Sequence, residues 1–147
     1  MKLPRSVPGW TVAVFGVMAL LLGAVGLVFP DVLLHLLGFE VLPAVERATG
    51  DHTRTFMAAS SMASLNMGVY YLVAAGTDWQ PFFSFSAVFR MLTFAVFTLL
   101  VVMEVAPVRF IGVALWEGLG GLVTGAAIWH GRRRAGAVAT PATDGAQ

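Results

Sequence analysis

Four long runs of apolar residues alternate with short segments that hold most of the charge. They fall at about residues 10–29, 55–75, 82–103 and 108–129. A helix rises about 1.5 Å per residue, so about 20 apolar residues cover the roughly 30 Å of a bilayer's hydrocarbon. The first run carries no charge, and the second has Asn66 as its strongly polar residue. The third contains Arg90 and the fourth Glu117. Pro30, Pro81 and Pro107 stand at the joins, as suits a residue without the amide proton that continues a helix. The pattern predicts an all-α fold: an integral membrane four-helix antiparallel bundle, forming one domain over residues 1–134. The first run is longer than the apolar core of a signal peptide and ends Leu27-Val28-Phe29-Pro30 without a small-x-small site, which predicts a retained helix.

The segments between the runs refine this picture. Val32 to Phe39 is apolar but too short to cross, so it is expected to lie along the interface or pack over the helix ends. Residues 135–147, rich in Ala, Gly, Thr and Pro, predict a disordered cytoplasmic tail. Orientation follows from lysine and arginine, which favour the cytoplasmic side. With both termini inside, the inner flanks hold Lys2, Arg5, Arg132, Arg133 and Arg134, against Arg47, Arg54 and Arg109 outside. That excess predicts both termini in the cytoplasm, for a chain expected in a bacterial plasma membrane, with Trp10, Trp79 and Trp129 at the inner interface.

Composition supports lipid as a solvent. The 147 residues are 58% hydrophobic and 12% charged, where a soluble domain carries about 25% charge. The net charge of +1, with a single basic cluster at Arg132–Arg134, gives no face for nucleic acid. Cysteine is absent, which excludes disulfides, thiolate metal sites and a cysteine nucleophile. His35, His52 and His130 lie at or beyond the ends of the runs, so no pair is placed to hold a haem. Met57, Met62 and Met67 are five apart and spread around a helix, which suits packing better than a copper site. No phosphate loop, Ser-His-Asp set or His-Glu-x-x-His motif is present. No cofactor, no metal and no catalytic residue is therefore expected.

Small residues mark where helices approach each other closely. They are Gly16, Gly23 and Gly26 in the first run, Ser60, Ser64 and Gly68 in the second, and Gly118, Gly121 and Gly125 in the fourth. The third is bulkier, and its Phe85, Phe89, Phe94 and Phe97 suit the space beside thin glycine faces. Short turns predict that the second, third and fourth helices neighbour one another.

The candidate site follows from depth. A lone charge at mid-bilayer costs at least about 2.5–3.5 kcal/mol, so Arg90 and Glu117, at compatible depths on adjacent helices, are expected to pair, with Asn66 nearby. Glu117 shares a face with Gly121 and Thr124. A second polar layer is expected near the outer surface, where Arg54 and Glu104 would cap the bundle; Tyr70 and Tyr71 are candidates for hydrogen bonds inside it. Two readings stay open. The pair fixes helix register in an accessory or scaffold protein whose company is membrane lipid and a second copy or another membrane protein. Alternatively, Arg90, Asn66 and Glu117 bind a lipid, quinone or small anion. An enzyme with Glu117 as acid or base has no nucleophile or cofactor motif to work with.

The stretch Trp116-Glu117-Gly118-Leu119-Gly120-Gly121-Leu122-Val123-Thr124-Gly125, followed by His130-Gly131-Arg132, resembles the glutamate–glycine–arginine stretch of the DoxX-like family of small bacterial four-helix membrane proteins. The resemblance implies an up-down bundle and a role beside membrane redox or stress systems, and it carries over to Glu117, Gly121, Gly125 and Arg132. It covers less than a fifth of the chain, and in that family the stretch lies earlier, with helices after it. Arg54-Thr55-Phe56 followed by Gly68-Val69-Tyr70-Tyr71 is similar, more faintly, to the ergosterol-biosynthesis scaffold family. Neither resemblance implies an activity for this chain.

Overall fold

A computed structural model describes residues 3–138, and among these every regular element is helical. Helix α1 is Val7–Val28, α2 is Pro30–Leu37, α3 is Thr53–Thr77, α4 is Gln80–Val102 and α5 is Ile111–Val138. Single 3-10 turns at Ala44–Glu46 and Val108–Phe110 lead into α3 and α5.

The boundaries have local causes. The Ser6 side chain caps α1 by accepting from the Gly9 N–H at 3.2 Å. Pro8, Pro30 and Pro81 fall in first turns, where a missing amide proton costs nothing. Gly38 ends α2 in the left-handed region at φ 88°, with its Cα packed on Arg109. Asp78 does the same for α3 at φ 53°, and the two-residue turn Asp78-Trp79 sends the chain straight into α4.

Three of these segments are long and apolar enough to cross a membrane: Val7–Val28, Gln80–Val102 and Val108–Arg134. Helix α3 matches them in length with 25 residues but is not among them. Its serines, Asn66 and paired tyrosines dilute its apolar character. The short apolar segment after Pro30 is a helix that folds back over the bundle end, burying Leu33 and Leu34. Leu33 lies beside Gly26 of α1. Helix α5 continues to Val138, past the domain end expected at residue 134, so the expected tail is helical through its first four residues. The remainder of that tail, 139–147, lies outside the described residues.

The helices associate as two pairs. Helix α3 runs antiparallel to α1 along most of its length: Gly16 faces the Gly68 carbonyl and Tyr71, and Gly23 faces the Ser61 carbonyl and Leu65. The Ser64 hydroxyl donates to the Ala19 carbonyl at 2.9 Å. Helix α5 lies along α4, with Gly118 beneath the Phe94 ring and Gly121 against Met91 and the Ala87 carbonyl. Helix α1 then joins the pairs by packing on α5. This corrects the expected neighbours. Away from the turn the backbone of α3 stays apart from α4 and lies on α1 instead. The glycine faces of α1 and α3 allow a close backbone approach, and here closeness of packing outweighs adjacency in sequence. Val12, Phe15, Tyr71, Ala74, Ala75 and Phe83 form the shared core.

Candidate functional site

The site grows from one residue. Arg90 lies ten residues into α4, about 15 Å from the end of the bundle where α1 and α4 begin. Its neighbours on that face, Phe83, Ser86 and Ala87, are also buried, so the helix aims the guanidinium inward. Arg90 is only 5% exposed. Its Nε stands 3.4 Å from Glu117 Oε2 on α5, whose side chain is 21% exposed.

The rest of the guanidinium is covered by aromatic rings. Its Cζ lies 3.3 Å above the Phe15 centroid on α1 and 5.3 Å from that of Tyr71 on α3. A cation over a ring face gains about 2 kcal/mol or more when desolvated. Phe15 is held in turn by Trp116 of α5, with centroids 4.6 Å apart at 56°. Gly120 makes the stack feasible, because a Cβ there would collide with the Phe15 ring and with Arg90 Nη1. Arg90, itself on α4, thus meets the other three long helices.

Sequence reasoning brings Arg90 and Glu117 together, as the structure does, but it misplaces Asn66. Asn66 is exposed on α3 and points away from α1. Two residues beyond it, Gly68 faces α1, and two steps of about 100° put Asn66 on the opposite side. Tyr70 is likewise 56% exposed, and it is Tyr71 that turns inward. Phe15, Trp116 and Gly120 join the site without being marked for it in the sequence. Their signal is weak, since an aromatic in an apolar run reads as ordinary packing until the arginine's position in space is known.

The second layer is also rearranged. Arg54 donates to Asp31 rather than meeting Glu104: Nη2 lies 2.6 Å from Oδ2, with Nε 3.4 Å from Oδ1. Arg47 approaches the same carboxylate at 3.6 Å and donates from Nε to the Leu42 carbonyl. The hydrogen bond from Arg54, and then the two positive charges, hold the Asp31 carboxyl below its ordinary value of 3.8. Asp51 is lowered as well, because Thr53 donates to it from its hydroxyl at 2.5 Å and its backbone N–H at 2.9 Å. Glu104 misses Arg54 because α4 stops at Val102. Glu104 then turns at φ 60°, exposed, so the helical face continuing from Arg90 does not reach it.

Two larger openings lie at the bundle ends. One of about 490 Å³ is lined by Ser6, Gln80, Pro81, Ser84 and Arg132 at the end where α1 and α4 begin. Another of about 430 Å³ lies at the opposite end between Gly38, Glu40 and Glu104. Neither is lined by Arg90 or Glu117. Comparisons with protein families, with curated proteins and with solved structures find no match to this chain. Of the residues that carry the DoxX-like resemblance, Glu117 and Gly121 face α4, Gly125 faces open space and Arg132 lines the larger opening.

Proposed function

We propose that the chain is a four-span bacterial plasma-membrane protein with both termini in the cytoplasm, acting as an accessory or scaffold subunit rather than as an enzyme. In this reading α3 is the fourth span. Its 25 residues lie antiparallel along α1, itself long and apolar enough to cross, so both occupy the same depth. The observation that carries the scaffold reading is the environment of Arg90: direct contact with Glu117, a covering of Phe15 and Tyr71, and 5% exposure. A guanidinium enclosed in this way joins helices. The DoxX-like resemblance agrees with an up-down bundle and adds no activity.

The test is a set of leucine substitutions read by thermal unfolding in a mild detergent. Arg90→Leu strands Glu117, and Glu117→Leu strands Arg90. Each single change is expected to destabilise the protein, and the two together are expected to recover much of the loss. A double variant no better than the worse single would count against a register pair.

A second reading has one observation in its favour. Arg90 Nε is buried without a hydrogen-bond acceptor of normal geometry. A lipid, quinone or small anion entering beside Glu117 would supply one. Native mass spectrometry of the wild type beside Glu117→Gln distinguishes the two readings. A small molecule carried by the first and absent from the second supports a ligand site; none on either supports the scaffold.

A further inference from the structure

The outward face of α3 differs from those of the other long helices. Ala59, Ala63, Asn66, Tyr70, Val73 and Thr77 are all exposed, with Tyr70 at 56% and Val73 at 53%. Their spacing alternates four and three, the repeat that keeps one seam of a helix facing a partner helix. They lie opposite Ser61, Ser64, Gly68 and Leu72, which α1 covers. Helix α4 presents Phe85, Val88, Leu92, Val96 and Leu99 outward, and α5 presents Leu115, Leu119 and Leu122, faces that lipid tails solvate without loss. Lipid cannot solvate an amide in this way. Asn66 makes no side-chain hydrogen bond among the described residues and lies about 16 Å from the α3 end nearest the termini.

We propose that this seam is the contact surface for a second copy of the same chain, packed α3 against α3 with Asn66 paired to its symmetry mate. The inference rests on α3 being a membrane span. The occupant follows from the chemistry of the seam. An amide both donates and accepts, so two asparagines facing each other across a two-fold axis satisfy one another, and an amide at a seam position fixes both register and copy number. Ala59 and Ala63, one turn apart, are small enough for the two backbones to approach beside the amides. The covered face of α3 carries the closest α1 contacts, so the free face is the one left for a partner.

The test uses the full chain in lipid vesicles, where the absence of native cysteine allows single reporters. Ala63→Cys on the seam is compared with Val96→Cys, at comparable depth on the outward face of α4. Each is read for oxidative cross-linking between copies and for labelling by a membrane-impermeant maleimide. The expected result is that Ala63→Cys cross-links, Val96→Cys does not, and both resist the maleimide. Asn66→Leu should raise the protein-to-lipid ratio at half-dimer about tenfold, with partial recovery in Asn66→Gln. Leucine suits both helix and lipid, so this variant still folds. Resistance to the maleimide with no cross-link above the Val96→Cys level overturns the dimer and leaves the four-span reading standing. Labelling of Ala63→Cys places α3 outside the bilayer and overturns both. A dimer unmoved by Asn66→Leu overturns the role given to Asn66.

Discussion

The α1/α3 pair and the α4/α5 pair solve one problem in two ways. Helices in an apolar solvent gain little from burying apolar surface against each other, so close packing or a polar link must hold them. The first pair uses closeness: Gly16, Gly23 and Gly68 bring backbone within reach of backbone along its length, and the charge that takes part, the Asp78 carboxylate that accepts from Ser6, sits at the end of the pair. The second pair packs Phe94 and Met91 over Gly118 and Gly121, with Gly121 also against the Ala87 carbonyl, and it adds the Arg90–Glu117 link. The first should therefore be more sensitive to volume than to charge, and the second more sensitive to charge than to volume. Arg90 also lies over Phe15 and beside Tyr71, so the polar link of one pair anchors that pair to the other.

The largest effect should come from stranding a charge. Removing one partner of a buried ion pair costs about 3–5 kcal/mol, which sets the expected loss for Glu117→Leu, because the arginine stays charged. Thermal unfolding of Glu117→Leu beside Gly23→Ala sharpens the comparison. The glycine variant should lose about 1–3 kcal/mol, since a Cβ at Gly23 would meet the Ser61 carbonyl and the Leu65 backbone nitrogen, which cannot swing aside. A Gly23→Ala loss as large as that of Glu117→Leu would break the division between the pairs.

These two sites also differ in how legible they are. A charge inside an apolar run has few partners, so Arg90 and Glu117 could be matched from depth alone. The glycines were visible as small faces, but which faces meet depends on the global arrangement, and adjacency in sequence pointed to the wrong neighbour for α3. Asn66 was misplaced for the same reason: depth along a helix was readable, while rotation about its axis was not. The partner of Arg54 was missed because Asp31 comes within reach only once α2 folds back over the bundle end.

A smaller effect of opposite sign should appear at Gly125. Among the described residues a Cβ there meets nothing within 4 Å, so α5 keeps this glycine without a packing reason among them. Gly125→Ala should stabilise the protein by about 0.5–1 kcal/mol, the cost of glycine in a helix interior. A loss of stability in the same unfolding assay would mean that a neighbour beyond the described residues occupies that space.

The smallest effect should come from the layer around Asp31, where the charges are exposed and salt screens them. The folded carboxyl lies below 3.8 because Arg54 donates to it. A group lowered in this way contributes its full share above the unfolded value and loses it as the pH falls through the folded one. Thermal midpoints of the wild type should therefore decline as the pH drops from about 5 to about 3 in low salt, with Asp51 contributing in the same direction. Asp31→Asn should remove part of that slope, and high salt should flatten the part due to Arg54. Neither change should alter the gap between wild type and Glu117→Leu, because Asp31 lies on α2, away from the contacts that hold the two pairs together. An Asp31→Asn variant that narrowed that gap would tie the outer layer to the buried pair and undo the separation between a screened surface cluster and the enclosed link.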